Sequence, residues 1–494
     1  MNRTLVCALA LAGVVGSAQA ADLGLDGMKD PLPDTLTFKG VTIYGTIDVG
    51  YAYQSNGAPF SGAMYTGLDY NMYGSKQNRQ VISTLTNNAL SQSQVGVKFE
   101  ESLGMGFVAI GKLDTGFNPA SGEIGDECAS IIRNNGKPFT QASSSGDGSR
   151  CGQAFNGQAY AGLSNAAYGT LTIGRQNSLD LDLMNNYDPM GMSYSMSLIG
   201  WSGGAGPGIG MTETARWDNS LKYIYQYGPA HAAFMFASGS GDDSLQGNSY
   251  AGNIGVTWKG FSIDAVYTKE VDGVYATAPY SYTATGTTVA TATCVSGSSA
   301  PATYSGSTQL TNPGCNTLSV TGADSEAWTV AGKYVFDFGG GYKDLPSSKL
   351  TLFAGYQHAE LSNPDNPLNL GSTTIGGYII GLVSNTYYTT HRVNQTEWGG
   401  LKYELDAWAF TGAYYHLDQN SYVLSGTACT HGGSTAKNCS GDTNTASFLV
   451  DYTFTKHFDI YSGVSWSEVD GGLVNGYIGA HDNTTWVSGL RLKF

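Results

Sequence analysis

Charge is scarce in this chain, and long apolar runs are absent once its first twenty residues are passed. Only 13% of its 494 residues are Asp, Glu, Lys or Arg, about half the usual share, which argues against roughly two or three ordinary soluble domains. No later run of about 18 apolar residues occurs, and the mean hydropathy is −0.16, so a bundle of membrane helices is excluded as well. The histidines, 7 in all, are scattered, and none has a spacing that pairs it with a serine nucleophile or with metal partners. The glycine-rich "GGAGPGIG" at 203–210 has no Lys-Ser/Thr after it to hold a phosphate. These absences argue against an enzyme and call for no cofactor and no metal. With 24 basic against 39 acidic residues and a net charge of −15, no nucleic-acid partner is expected.

What is present favours strands and turns. Gly reaches 68 and Tyr 32, against 18 Phe, and a composition rich in Tyr, Gly, Thr and Ser suits extended structure better than helix. The opening "MNRTLVCALALAGVVGSAQA" has one base, an apolar stretch from Leu5 to Val15 and a small-residue end at Ala18-Gln19-Ala20. That is the pattern of a cleaved secretory signal, residues 1–20. A short lead-in, 21–40, follows it and carries two prolines. With Cys7 removed, six cysteines fall into close pairs: Cys128 with Cys151, Cys294 with Cys315, and Cys429 with Cys439. Nearest-neighbour disulfides in an oxidising compartment are the economical reading; metal binding, the rival, has no C-x2-C or H-x3-H spacing to support it.

From Val41 onward one unit repeats, an alternating segment of about ten residues followed by a turn or a long polar stretch. "VTIYGTIDVGYAY" sets Val41, Ile43, Ile47, Val49, Tyr51 and Tyr53 against Thr42, Tyr44, Thr46 and Asp48. Sixteen such segments are expected: 41–53, 94–100, 107–116, 154–163, 169–176, 218–228, 230–239, 249–258, 261–270, 325–337, 349–361, 395–405, 408–420, 444–454, 458–468 and 484–494. Tight connections such as "YGPA" and "WKGF" alternate with long ones, at 54–88, 117–153, 177–217, 271–324, 362–395 and 421–443. An even strand number with short turns on one side and long loops on the other is what an antiparallel transmembrane β-barrel requires, because backbone groups in lipid can be satisfied only if the sheet closes. The fold class is therefore all-β, a 16-stranded barrel over 41–494, with aromatics such as Trp408, Tyr414 and Trp466 facing out and Asp264, Lys333, Lys402, Glu404 and Asp451 facing a polar lumen.

Several stretches resemble the Gram-negative general diffusion porins, the trimeric sixteen-stranded family. They are "FNGQAYAGLSNAAYGTLTIGRQNS" (155–178), "ARWDNSLKY" (215–223), "LDTGFNP" (113–119), the first strand and the terminal "SGLRLKF". The resemblance implies a passive channel for small hydrophilic solutes and ions, a homotrimer, an address in the outer membrane of a Gram-negative bacterium among lipid and lipopolysaccharide, and termini on the periplasmic side. It also implies that the closing aromatic, Phe494, is the signal read by the outer-membrane barrel assembly machinery. Residues 177–217 become the third external loop, folded inward to narrow the pore. Its acids Asp180, Asp182 and Asp188 should then face bases on the wall: Arg175, Arg216, Lys98, Lys112 and Lys222. Where such porins place inward arginines, this chain has Gln94 and Gly157, so the basic ladder is diluted and a weak cation preference is expected.

Other readings stay open at this point. Tyr187, Tyr194 and Trp201 in the third loop suit a sugar-selective channel, the long stapled loops suit adhesion or receptor binding, and Met184, Met190, Met192 and Met196 suit soft-metal uptake.

Overall fold

The computed structural model describes residues 35–57, 78–126, 152–200, 215–239, 247–276, 317–339, 347–364, 388–422, 439–474 and 479–494, with single residues and short strands in the connections between them. Among these residues sixteen strands form the barrel wall: β1 (Val41–Gly57), β2 (Gln80–Asn87 continued by Gln94–Gly104), β3 (Phe107–Gly116), β4 (Ala159–Asn165), β5 (Gly169–Asn177), β6 (Arg216–Tyr227), β7 (Ala230–Ala237), β8 (Ser249–Trp258), β9 (Phe261–Ala276), β10 (Thr317–Asp337), β11 (Ser348–Ser362), β12 (Arg392–Leu405), β13 (Trp408–Gln419), β14 (Gly441–Thr455), β15 (Phe458–Val469) and β16 (Asp482–Lys493). Each pairs antiparallel with the next. The circle closes where β1 meets β16, with Thr46 opposite Lys493 and Ile47 opposite Leu492. Closure removes the two sheet edges that lipid could not satisfy.

Burial is inverted relative to a soluble protein. Trp408 and Phe448 are 46% and 49% exposed, whereas Asp48, Thr329 and Gln357 are at 0%. Alternate residues of every strand therefore point to lipid or to an interior filled with polar side chains. The tight turns follow from local chemistry. Between β2 and β3, Met105 and Gly106 have φ of 52° and 78°, and between β8 and β9, Lys259 and Gly260 have 47° and 82°. Two successive left-handed residues make the mirror turn whose twist matches a hairpin, and glycine at the second carries no Cβ penalty.

Three expectations change in detail. The second strand starts at Gln80 and breaks at 88–93, where those residues leave the ladder to be bonded inside the barrel. The fourth starts at Ala159, because Asn156 is held away from the ladder by bonds to both backbone groups of Gly116, at 2.8 and 2.9 Å. The segment 362–395 holds a further hairpin, Gly371–Ile375 with Tyr378–Ser384, whose second arm pairs parallel with Thr317–Gly322 of β10. Cys439 is buried and disulfide-bonded; Cys128, Cys151, Cys294, Cys315 and Cys429 lie outside the described residues, as do residues 1–34 and Trp201.

Candidate pore constriction

The connection from β5 to β6 turns into the barrel. Ser178 starts it: its hydroxyl accepts the Leu181 amide at 3.1 Å and caps helix α1 (Leu179–Tyr187). Asp180 and Asp182 in the first turn favour the positive end of the helix. Leu179, Leu183, Met184 and Tyr187 are buried, as their spacing of four, one and three residues allows on a single helix face. The helix lies against β8 to β11. At its end the Tyr187 hydroxyl bonds Ser262 and Asp264 on β9, Trp398 Nε1 on β12 donates to the Tyr187 carbonyl at 3.1 Å, and Lys333 Nζ on β10 donates to the Asn186 carbonyl at 3.0 Å.

Beyond the helix the loop continues across the lumen. Asp188 accepts the Tyr415 hydroxyl on β13 and the Met192 amide at 2.7 Å. Ser447 Oγ on β14 donates to the Met196 carbonyl at 2.6 Å, and Ser465 Oγ on β15 donates to the Ser195 carbonyl at 3.0 Å. Met184 and Met196 are at 0% exposure and Met190 at 5%; the methionines are packing, chosen for a flexible chain that fills an irregular space between loop and wall. Tyr187 and Tyr194 are buried too, so neither offers a face to a passing sugar ring.

The three loop acids separate into two kinds. Asp182 is 41% exposed and pairs with Lys222 Nζ on β6 at 2.6 Å. Asp180 and Asp188, expected to line the pore, are 1% and 3% exposed, which corrects that expectation: both dock the loop. Gln357 Nε2 on β11 donates to Asp180 at 3.2 Å. Burial pushes the Asp180 carboxyl up to about 7, against the opposing effect of hydrogen bonds from Thr329 and Gln357. Burial raises Asp188 as well, partly offset by Tyr415 and the Met192 amide.

The raised value has a definite sign. Asp180 holds its proton more tightly when docked than its ordinary value of 3.8 allows, so its contribution to docking is complete below about pH 4 and is lost as pH rises through about 7. Asp180→Asn should therefore protect α1 from amide exchange relative to wild type at pH 8 and match it at pH 4. Equal exchange at pH 8 would refute the assignment.

The predicted bases are spread around the wall. Lys112 pairs with Asp114 at 2.9 Å, and Lys98 and Lys112 approach the Tyr44 ring at 5.0 and 5.6 Å. Arg175 stands at a bulge in the β5–β6 ladder. There it bonds Asp218 at 2.7 Å and the carbonyls of Gly157 and Asn156, each at 3.0 Å, so it ties the segment that leads into β4 to β5 and β6. Arg216 opens β6 opposite Asn177. Gln94 faces Thr46 across β1 and β2. At Gly157 a Cβ would lie 1.7 Å from Asp114 Oδ1, so Asp114 occupies the space an arginine stem would need.

A charge network at the chain's end has no counterpart among the residues singled out from the sequence. Arg491 bonds Asp459 at 2.7 Å, Asp451, and Ser91 Oγ at 2.9 Å, while Lys493 pairs with Asp459 at 2.6 Å. The partners come from β14, β15, β16 and the break in β2, four segments that no spacing in sequence connects.

A closed sixteen-stranded barrel, apolar outside and polar inside, with one loop bonded across its lumen, defines the class of outer-membrane β-barrel channels. The model of the family described as Gram-negative porin matches residues 6–472, and the chain belongs to that family; its place is the outer membrane. Over 239 residues it is 26% identical to an outer membrane porin protein of Bordetella pertussis, covering 48% of each chain. The matched part is thus about half the length of that relative. Two solved structures share the fold: an anion-selective porin from Comamonas acidovorans (TM-score 0.52, 14% identity, 92% of this chain and 99% of that one) and in-vitro folded OmpT of Vibrio cholerae (TM-score 0.51, 11% identity, 94% and 100%).

Proposed function

We propose that the protein is a passive, water-filled channel for small hydrophilic solutes and ions, with a weak preference for cations. The observation that carries this reading is the third loop, bonded inside a closed barrel to β9, β12, β13, β14 and β15. A loop held in that way sets the width of the aqueous path, and the charges beside the path set its selectivity. No covalent step is involved.

The preference is weak because the charges beside the loop neutralise one another. Asp182 with Lys222, Asp114 with Lys112, and Arg491 with Asp451 and Asp459 are all ion pairs, and the net charge of −15 tips the balance. In a planar bilayer under a KCl gradient, stepwise ohmic currents with a cation-sided reversal potential are expected. Asp182→Asn should move that potential toward zero, and Asp180→Asn, being sealed from the path, should leave it in place. An anion-sided wild-type potential would reverse the selectivity, and the absence of current from folded barrel would refute the channel.

A homotrimer completes the proposal. Outward positions of β3 and β4 carry Ala109, Gly111, Ala159 and Ala161, which with Val41, Phe99, Leu113 and Ile173 line a depression of about 610 Å³. Elsewhere the outer wall carries exposed Tyr267, Trp328, Tyr414 and Trp466, the residue types that anchor at a lipid headgroup zone. A surface of small residues suits a protein neighbour. A native mass of three chains in mild detergent is expected; a monomeric mass would remove this part.

A further inference from the structure

Residues 88–93 leave the β2 ladder between its two halves and are bonded from several sides. Asp48 on β1, at 0% exposure, accepts the amides of Leu90 and Ser91 at 2.9 and 2.7 Å through Oδ2 and the Tyr461 hydroxyl of β15 at 2.6 Å through Oδ1. Its own amide donates to Ser93 Oγ at 2.9 Å, and its carbonyl accepts the Asn88 amide at 3.0 Å. Within the excursion the Ser93 amide donates to Asn88 Oδ1 at 2.7 Å. Arg491 Nη1 on β16 reaches Ser91 Oγ, and Arg150 Nη2 in the second connection donates to Gln92 Oε1 at 2.6 Å.

The third loop meets this same excursion at residues 193–195. Ser193 Oγ and the Ser195 amide both donate to the Ala89 carbonyl, at 3.1 and 2.9 Å. The loop leaves the wall at β5, crosses the lumen, and its 193–195 stretch is held by a piece of β2 that exists in this shape because one carboxylate binds two successive amides. A single aspartate oxygen accepting a pair of neighbouring backbone N–H groups is an anion in a nest, and charged acceptors make the stronger bonds.

We propose that Asp48 is the positioning residue of the third loop: by holding the 88–93 excursion inside the barrel it fixes where residues 193–195 of that loop lie. Asp48 touches no residue of the loop itself in these bonds and acts through the excursion. The role was invisible in sequence, where Asp48 is one polar residue in an alternating strand. The proposal deepens the channel reading, because the position of the loop matters to flux only if the loop narrows the path.

The test compares the full-length folded barrel with Asp48→Ala and Asp48→Asn by amide exchange and single-channel recording. In Asp48→Ala, exchange across 88–93 and 193–197 should rise at least about tenfold, one factor of ten for about 1.4 kcal/mol of lost local protection, with β12 to β14 unchanged. Asp48→Asn, which keeps one acceptor oxygen, should fall between, and Asp48→Ala channels should flicker. Should Asp48→Ala fail to fold, Tyr461→Phe removes one bond to the carboxylate and should raise exchange in the same two segments. Unchanged exchange there in a folded variant, or an even rise over the whole barrel, would overturn the positioning role. A local rise with the unitary current and its noise unaltered would keep the role and remove the constriction reading.

Discussion

Deletion of Phe494 should lower the amount of folded barrel by at least about tenfold. The C-terminal residue is the last link of the closing ladder: its amide donates to the Gly45 carbonyl at 3.1 Å, and the Gly45 amide donates to the Phe494 carbonyl at 2.9 Å. A Cβ on Gly45 would lie 2.4 Å from the ring atom Cζ of Phe494, so glycine is required there for the ring to sit against β1. The deletion removes the packing of the ring against β1 and two backbone bonds of the closure, each worth about 1 kcal/mol. Gly45→Val should reproduce the loss while leaving Phe494 in place. Heat-modifiable mobility of the two variants in membranes measures it. If the deletion fails and Gly45→Val folds normally, Phe494 acts through recognition during assembly alone; if both fold at wild-type levels, the closure argument is wrong.

Tyr187→Ala should release the near half of the third loop and raise the mean conductance roughly twofold or more, as a wider and less ordered constriction implies. The residue is 1% exposed, ends α1, and gathers three strands: its hydroxyl bonds β9, its carbonyl accepts from β12, and Lys333 of β10 lies 5.5 Å from its ring centroid. Asp264 would keep Asn253 Nδ2 at 2.9 Å and His231, so the wall itself should survive. Tyr187→Phe keeps the ring and loses only the hydroxyl, which should cost about 1–3 kcal/mol of docking and give flicker without a larger mean current. A Tyr187→Ala channel with wild-type conductance would show that the far anchors at Ala89, Ser447 and Ser465 hold the loop alone.

Much of the architecture was legible in advance because period two is a local property. Each strand's choice of faces depends only on its own residues, which is why Trp408, Tyr414 and Trp466 are assigned outward and Asp264 and Asp451 inward without knowing any neighbour. Errors fell where a residue's partner is distant. The break in β2 reads as a short run of mostly polar and small residues, "NALSQS", and Asp48, Tyr461 and Arg491, brought from β1, β15 and β16, help make it a structure. Asp180, Asp182 and Asp188 look alike in sequence; Lys222 keeps one near solvent, while Gln357 and Tyr415 take the other two into the wall.

The sequence by itself therefore determined the closed barrel, its strand count, the apolar outer face and the loop that turns inward. These follow from alternation, turn chemistry and the need to satisfy every backbone group in lipid, or from short motifs a family shares. The tertiary structure alone decided which acids meet water, why Gly157 leaves no room for an arginine, and what holds residues 178–197 of the third loop. Those outcomes depend on which side chains converge across the lumen, and convergence is set by strand register around the whole circle, a quantity no local stretch of chain contains.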